Sequence, residues 1–141
     1  MELDLQRFVE AQDGVFENAL AELRSGRKRT HWMWFIFPQI DGLAMSATSK
    51  KYAIRSLAEA RAFLDHPVLG LRLIECCDTL LALEGRTAAQ IFGYPDDLKL
   101  RSSMTLFSLA DPARTVFQAV LNKYFGGTPD ERTVEILKHI E

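Results

Sequence analysis

The sequence predicts an all-α fold of about seven to nine short helices, packed in an orthogonal or horseshoe-like array. Three observations carry that expectation. Helix start and stop signals recur along the chain. Between them, apolar residues repeat at the helical period. No pair of alternating strands flanks a hairpin turn.

The first segment, Leu3 to Ala11, places Leu5, Phe8 and Val9 on one side of a helix, and Val15 to Arg24 does the same with Val15, Phe16, Ala19, Leu20 and Leu23. Asp13-Gly14 breaks them, so the two helices should pack antiparallel or at a steep angle along a shared apolar seam. The basic run Arg24-Ser25-Gly26-Arg27-Lys28-Arg29 reads as a helix end and a solvated turn, with a local anion or phosphate contact as the alternative.

Ser56-Leu57-Ala58-Glu59 fits a capping box, in which a hydroxyl and a carboxylate satisfy free amides reciprocally, and opens a helix to about Leu64. Pro67 suits a first helical position. Leu69, Leu73, Cys76, Cys77, Leu80, Leu81 and Leu83 then give a wide apolar face ending near Gly85, expected to be the central helix. Thr87-Ala88-Ala89-Gln90 is a second box, opening a short turn that stops at Gly93. Pro95-Asp96-Asp97 starts the next helix, with acids at the positive end of its dipole. Asp111-Pro112 starts another that runs to Gly126-Gly127, and Thr128-Pro129-Asp130-Glu131 starts the last.

At 141 residues, folding should bury roughly two-thirds of the surface of the unfolded chain. With 48% hydrophobic and 26% charged residues, no fixed-period repeat and no polar linker, residues 1–141 read as one ordered domain. The formal net charge of −2 supplies no overall field toward nucleic acid, which disfavours a nucleic-acid binder built on Arg27, Lys28 and Arg29. No charged-then-apolar leader opens the chain, and no uninterrupted apolar stretch approaches the roughly 20 residues that span a bilayer. The expectation is a cytoplasmic protein with no membrane contact. Cys76 and Cys77 are adjacent in a helical pattern, point in different directions and should be reduced thiols.

One segment departs from this logic. His31-Trp32-Met33-Trp34-Phe35-Ile36-Phe37-Pro38-Gln39-Ile40 is apolar at nearly every position and fits neither the helix period nor strict alternation. Its structural reading is a short helix or extended plug in the core, ended by Pro38, with Asp41-Gly42 making a turn. Its functional reading attends to His31, Gln39 and the two indoles, since apolar walls with a few convergent polar groups make a small-molecule pocket. Ser46, Thr48, Ser49, Lys50 and Lys51 follow beside an expected helix start, where free amides favour an anion. A second polar cluster, Lys99, Arg101, Ser102, Ser103 and Thr105, is poor helix material and either forms a solvated face or helps line the same pocket.

The residues also carry a resemblance. Arg7-Phe8-Val9-Glu10-Ala11-Gln12, His31 through Ile40 with Gly42-Leu43 and Ser46, Tyr52-Ala53-Ile54, Lys99 with Ser102 through Phe107, and Phe125-Gly126-Gly127 with Asp130 and Thr133 resemble a family of small α-helical bacterial proteins of unknown function. Some of its members carry the label calpastatin. Inhibitors of that name are disordered and repetitive, whereas this sequence reads as compact and non-repetitive, so the label is set aside. The resemblance implies an all-helical fold and no particular activity.

The leading expectation is a pocket for a small polar, phosphate-bearing or nucleotide-like ligand, built from His31, Trp34, Gln39, Ser46, Lys51, Tyr52, Lys99 and Ser103. If the protein is an enzyme, His31 is the candidate catalytic base, serving Ser46 or Ser103. No metal is expected, because His31, His66 and His139 are scattered. No Gly-rich phosphate loop is present and no cofactor is expected. The rival is a protein-protein interaction module, or a homo-oligomer, that docks through the aromatic residues 31–40.

Overall fold

The computed structural model describes residues 4–140. Among them ten helical segments form: α1 Gln6–Gln12, α2 Phe16–Arg24, α3 Met33–Ile36, α4 Ala47–Lys51, α5 Leu57–Asp65, α6 Leu69–Ala82, α7 Ala88–Phe92, α8 Asp96–Ala110, α9 Val116–Phe125 and α10 Glu131–Ile140. Leu3, the expected start of the first helix, lies outside the described residues. No strand forms among them, and the only extended pairing is an isolated parallel bridge between Ile40 and Ile54.

Helices α5, α6, α9 and α8 form a closed ring in which each packs on the next. Helix α2 lies on α6, α7 and α10 lie on α8, and α1 lies against α3. The seam expected between the first two helices is therefore replaced by separate partners: the turn at Asp13-Gly14, where Gly14 takes a φ of +73°, sends them to different neighbours. A chain of aromatic contacts, Phe35–Tyr52–Phe8–Phe63–Phe107–Phe117, runs from α3 through α1, α5 and α8 to α9, with ring centroids 4.8 to 5.9 Å apart.

The caps resolve in detail. Thr87 and Gln90 make both halves of the predicted box. Ser56 Oγ accepts from Glu59 N as expected, but the Glu59 carboxylate accepts from Arg55 N and pairs with Arg7 instead of returning to Ser56. Helix α6 begins at Leu69, two residues after Pro67, because His66 Nδ1 accepts the amides of Val68 and Leu69.

Helix α6 shares its central place with α8, whose residues Ser102 through Phe107 are buried without a break. A solvated face is ruled out there. Ser102 and Thr105 donate to the carbonyls of Leu98 and Arg101 one turn back, which lets hydroxyls sit in the core, and Thr105 Oγ1 also accepts from Asp130 N at the start of α10.

Candidate functional site

The aromatic segment is a short helix running into an extended plug. Trp32, Met33, Ile36, Phe37, Pro38, Gln39 and Ile40 are buried, Trp34 and Phe35 are half-buried, and His31 is exposed. Trp32, Phe37 and Phe92 pack together with centroids 6.0 to 6.3 Å apart. The Ile40–Ile54 bridge fixes the far end, with Ile54 N donating to Gln39 O and Asp41 N to Ile54 O, both at 2.8 Å.

The near end is organised by Glu22 of α2. Its carboxylate accepts from the backbone N–H of Arg29 at 2.6 Å and of Thr30 at 3.0 Å, from Thr30 Oγ1 at 2.6 Å and from Trp32 Nε1 at 3.0 Å. Burial alone would raise this carboxyl, but the four hydrogen bonds to its charged form outweigh burial and hold it at about 2. The loop wrapped on Glu22 turns Trp32 inward and leaves His31 at the surface.

Lys28 is not part of a solvated turn. Gly26, at φ +79°, redirects the chain after α2, and Lys28 N donates to Ile91 O at 2.7 Å, pinning this loop to α7. The Lys28 side chain is 7% exposed, with its ammonium 2.8 Å from Asp96 Oδ2 and 5.1 Å from the Trp32 ring centroid. Lys99, one turn along α8, reaches Asp96 Oδ1 at 3.1 Å and lies 4.4 Å from the Trp34 ring centroid. One carboxylate thus holds two ammoniums, one on each oxygen, and each ammonium faces a tryptophan. Burial would raise Asp96, but the bonds and charges of Lys28 and Lys99 prevail and lower it.

This cluster edges a groove of about 340 Å³ lined by Lys28, His31, Trp34, Phe35, Ser46, Thr48, Asp96 and Lys99, among others. Its size falls within the range of small-molecule sites. A larger depression of about 520 Å³ between α8 and α9 contains Arg114 as its one cation, already paired with Asp111 at 3.1 Å, and no aromatic residue.

Of the residues predicted for the site, His31, Trp34, Ser46 and Lys99 line this groove. Gln39 lines a small hollow that has Trp34 as its common wall with the groove. Lys51 and Tyr52 are not in the groove: they line a separate depression with Arg7 and Glu10, and Tyr52 packs edge-on against Phe35. Ser103 is fully buried in α8, so it cannot act with the exposed His31. Ser46 Oγ caps α4 by accepting from Ser49 N at 3.1 Å, and its own hydroxyl is directed to Ser49 Oγ. The cysteines offer no nucleophile. Burial, helped by Glu75, pushes the Cys76 thiol up to about 12, and burial, helped by Cys76, also raises Cys77 well above its ordinary value.

Sequence reasoning missed Glu22 and Asp96 as site residues, named Thr48 only within the hydroxyl and lysine run at α4, and read Lys28 as part of a solvated turn or a local anion contact. Asp96 had a signal, since it lies three residues before Lys99 on one helix face. Glu22 had none, because its partners include backbone amides that only the folded loop presents.

A family model described as a protein of unknown function (DUF1810) matches residues 2–137. The conserved hypothetical protein Rv1873 from Mycobacterium tuberculosis, known from a crystal structure, is 53% identical and superposes with a TM-score of 0.94 over 96% of each chain. No curated protein matches this one.

Proposed function

Because the chain belongs to this family of unknown function, its activity has to be read from the groove, and we propose that the groove binds a small phosphate-bearing ring compound of nucleotide-like character. The supporting observation is the charge balance at its edge. Lys28 and Lys99 share the single carboxylate of Asp96, so this cluster holds one more ammonium than carboxylate, with Lys99 beside the Trp34 ring. An anion placed there gains a charge-assisted contact from Lys99, the more exposed of the two lysines, while Lys28 stays anchored. Trp34 and Phe35 supply apolar wall for a ring, and Thr48 supplies a hydroxyl at the rim, the Ser46 hydroxyl being engaged with Ser49. His31 is the imidazole of the groove, and any proton transfer on the ligand is assigned to it.

Docking through residues 31–40 has less support, because most of that segment's apolar surface is spent in the core.

Isothermal titration against a panel of nucleotides and sugar phosphates tests the proposal. At least one phosphate-bearing ring compound should give saturable heat, with affinity falling as salt rises. Lys99→Ala should weaken it about tenfold to a hundredfold, while Lys51→Ala, outside the groove, should leave it unchanged. Silence from the whole panel, or wild-type affinity in Lys99→Ala, would overturn it.

A further inference from the structure

The fold splits the basic run after α2, and a distant arginine joins what is left of it. The Lys28 side chain is spent on Asp96 and is 7% exposed, whereas Arg27 and Arg29 on either side of it are exposed. Two contacts bring the segment from Arg86 to Ile91 against this loop. Lys28 N donates to Ile91 O at 2.7 Å. The Arg86 side chain covers Gly26 so closely that a Cβ added to the glycine would stand 3.3 Å from Arg86 Nε. Arg86, exposed and far along the chain, therefore shares one turn with Arg27 and Arg29.

None of these three guanidiniums pairs with a carboxylate among the described residues. The acids around them are otherwise engaged: Glu22 with the loop amides and Trp32, Asp96 with two lysines, and Glu75 with Arg24. Glu84, two residues before Arg86, is exposed and forms no ion pair with them. The result is a local cationic face on a chain of formal net charge −2, which opposes binding of polyanions over the whole surface but not at one turn.

This face continues the edge of the groove. Lys28 and His31 line the groove, and Arg29 lies between them, its Cα about 4 Å from that of Lys28. A single phosphate held by Lys99 leaves all three arginines unused, while a chain of phosphates leading out over the turn engages them, and guanidinium forks suit phosphate oxygens. A base seated against Trp34 has to be free of pairing and stacking, which specifies a single strand.

We infer that Arg27, Arg29 and Arg86 form a phosphate-binding face for single-stranded nucleic acid, whose end nucleotide occupies the groove. The inference rests on the proposed phosphate-bearing ring ligand and extends it from a free nucleotide to the end of a strand.

Calorimetric titrations at several salt concentrations test it, comparing uridine and adenosine 5′-monophosphates with their 5′-phosphorylated tetranucleotides. For at least one base the tetranucleotide should bind about tenfold or more tightly, with a log affinity that falls about 2 units more steeply against log salt. The combined variant Arg27→Gln, Arg29→Gln and Arg86→Gln, its helicity checked by circular dichroism, should lose both differences. Should that variant not fold, the wild-type ratio and slopes decide alone. Tetranucleotides that bind no more tightly than mononucleotides, or a gain that survives in the folded variant, overturn the face and leave the groove assignment standing. A pentaglutamate peptide bound as tightly as the tetranucleotide overturns the assignment to nucleic acid. Tetranucleotide binding that needs the arginines but is indifferent to Lys99→Ala overturns the groove reading, and with it the seat of the strand end. No binding by any of these nucleotides or by the wider phosphate panel overturns both.

Discussion

Glu22 shows how one carboxylate can organise a loop that carries site residues. It gathers two backbone amides, a hydroxyl and an indole within 3.0 Å, and its carboxyl is held at about 2 against an ordinary 4.5. A lowered folded-state value adds stability above the unfolded one, so this contribution is present above about pH 4.5 and is lost as pH falls toward 2. Glu22→Gln keeps the shape but turns an amide toward groups that themselves donate. The variant should lose roughly 1–3 kcal/mol near neutrality and should shed less stability than wild type on acidification through that window. Denaturant midpoints across the range measure both, and parallel acid slopes would deny Glu22 its role. At this scale the sequence is legible where the signal is local. Trp34, Ser46 and Lys99 stand out as polar or half-polar groups beside an aromatic run or in a helix of unusual composition, whereas Lys28 looks solvated because nothing near it announces Asp96 as its partner.

At the scale of elements, capping chemistry is readable and helix pairing is not. Thr87 and Gln90 close their box because both are local, but Glu59 is taken by Arg7 from far along the chain, and only the fold decides that competition. The hydroxyls of α8 mislead for a related reason: back-bonding to the preceding turn satisfies Ser102 and Thr105 internally, so a stretch that looks exposed can be enclosed. The junction of α5 and α6 depends on Gly70, where an added Cβ would run into the carbonyl oxygen of Leu64. That obstacle is backbone and cannot rotate away. Gly70→Ala should therefore cost roughly 1–3 kcal/mol or more, in spite of alanine's better helix propensity, whereas a glycine-to-alanine change on an exposed helix face would stabilise. Thermal unfolding decides the sign, and a rise in Tm would show that the junction can open without penalty.

For the whole molecule, the groove matters because of what it joins. Its walls come from the loop after α2, from α3, from the start of α4 and from the first turn of α8, segments separated in sequence and held together by Glu22, Asp96 and the Ile40–Ile54 bridge. Helical class follows from periodicity and caps, but this convergence depends on contacts between distant segments, Lys28 with Asp96 and Ile40 with Ile54, and no local pattern encodes it. A ligand that touches several of these segments binds the folded state and not the unfolded chain, so it should stabilise the whole by mass action. At a hundred times its dissociation constant the gain is about 2.7 kcal/mol, which for a chain of this size raises Tm by several degrees. The shift should grow with ligand concentration, shrink with salt and fall away in Lys99→Ala at concentrations that saturate wild type, while Lys51→Ala retains it. A phosphate-bearing ring compound that binds by titration yet leaves Tm unmoved would mean that it also binds the unfolded chain, and an undiminished shift in Lys99→Ala would place the site elsewhere on the surface.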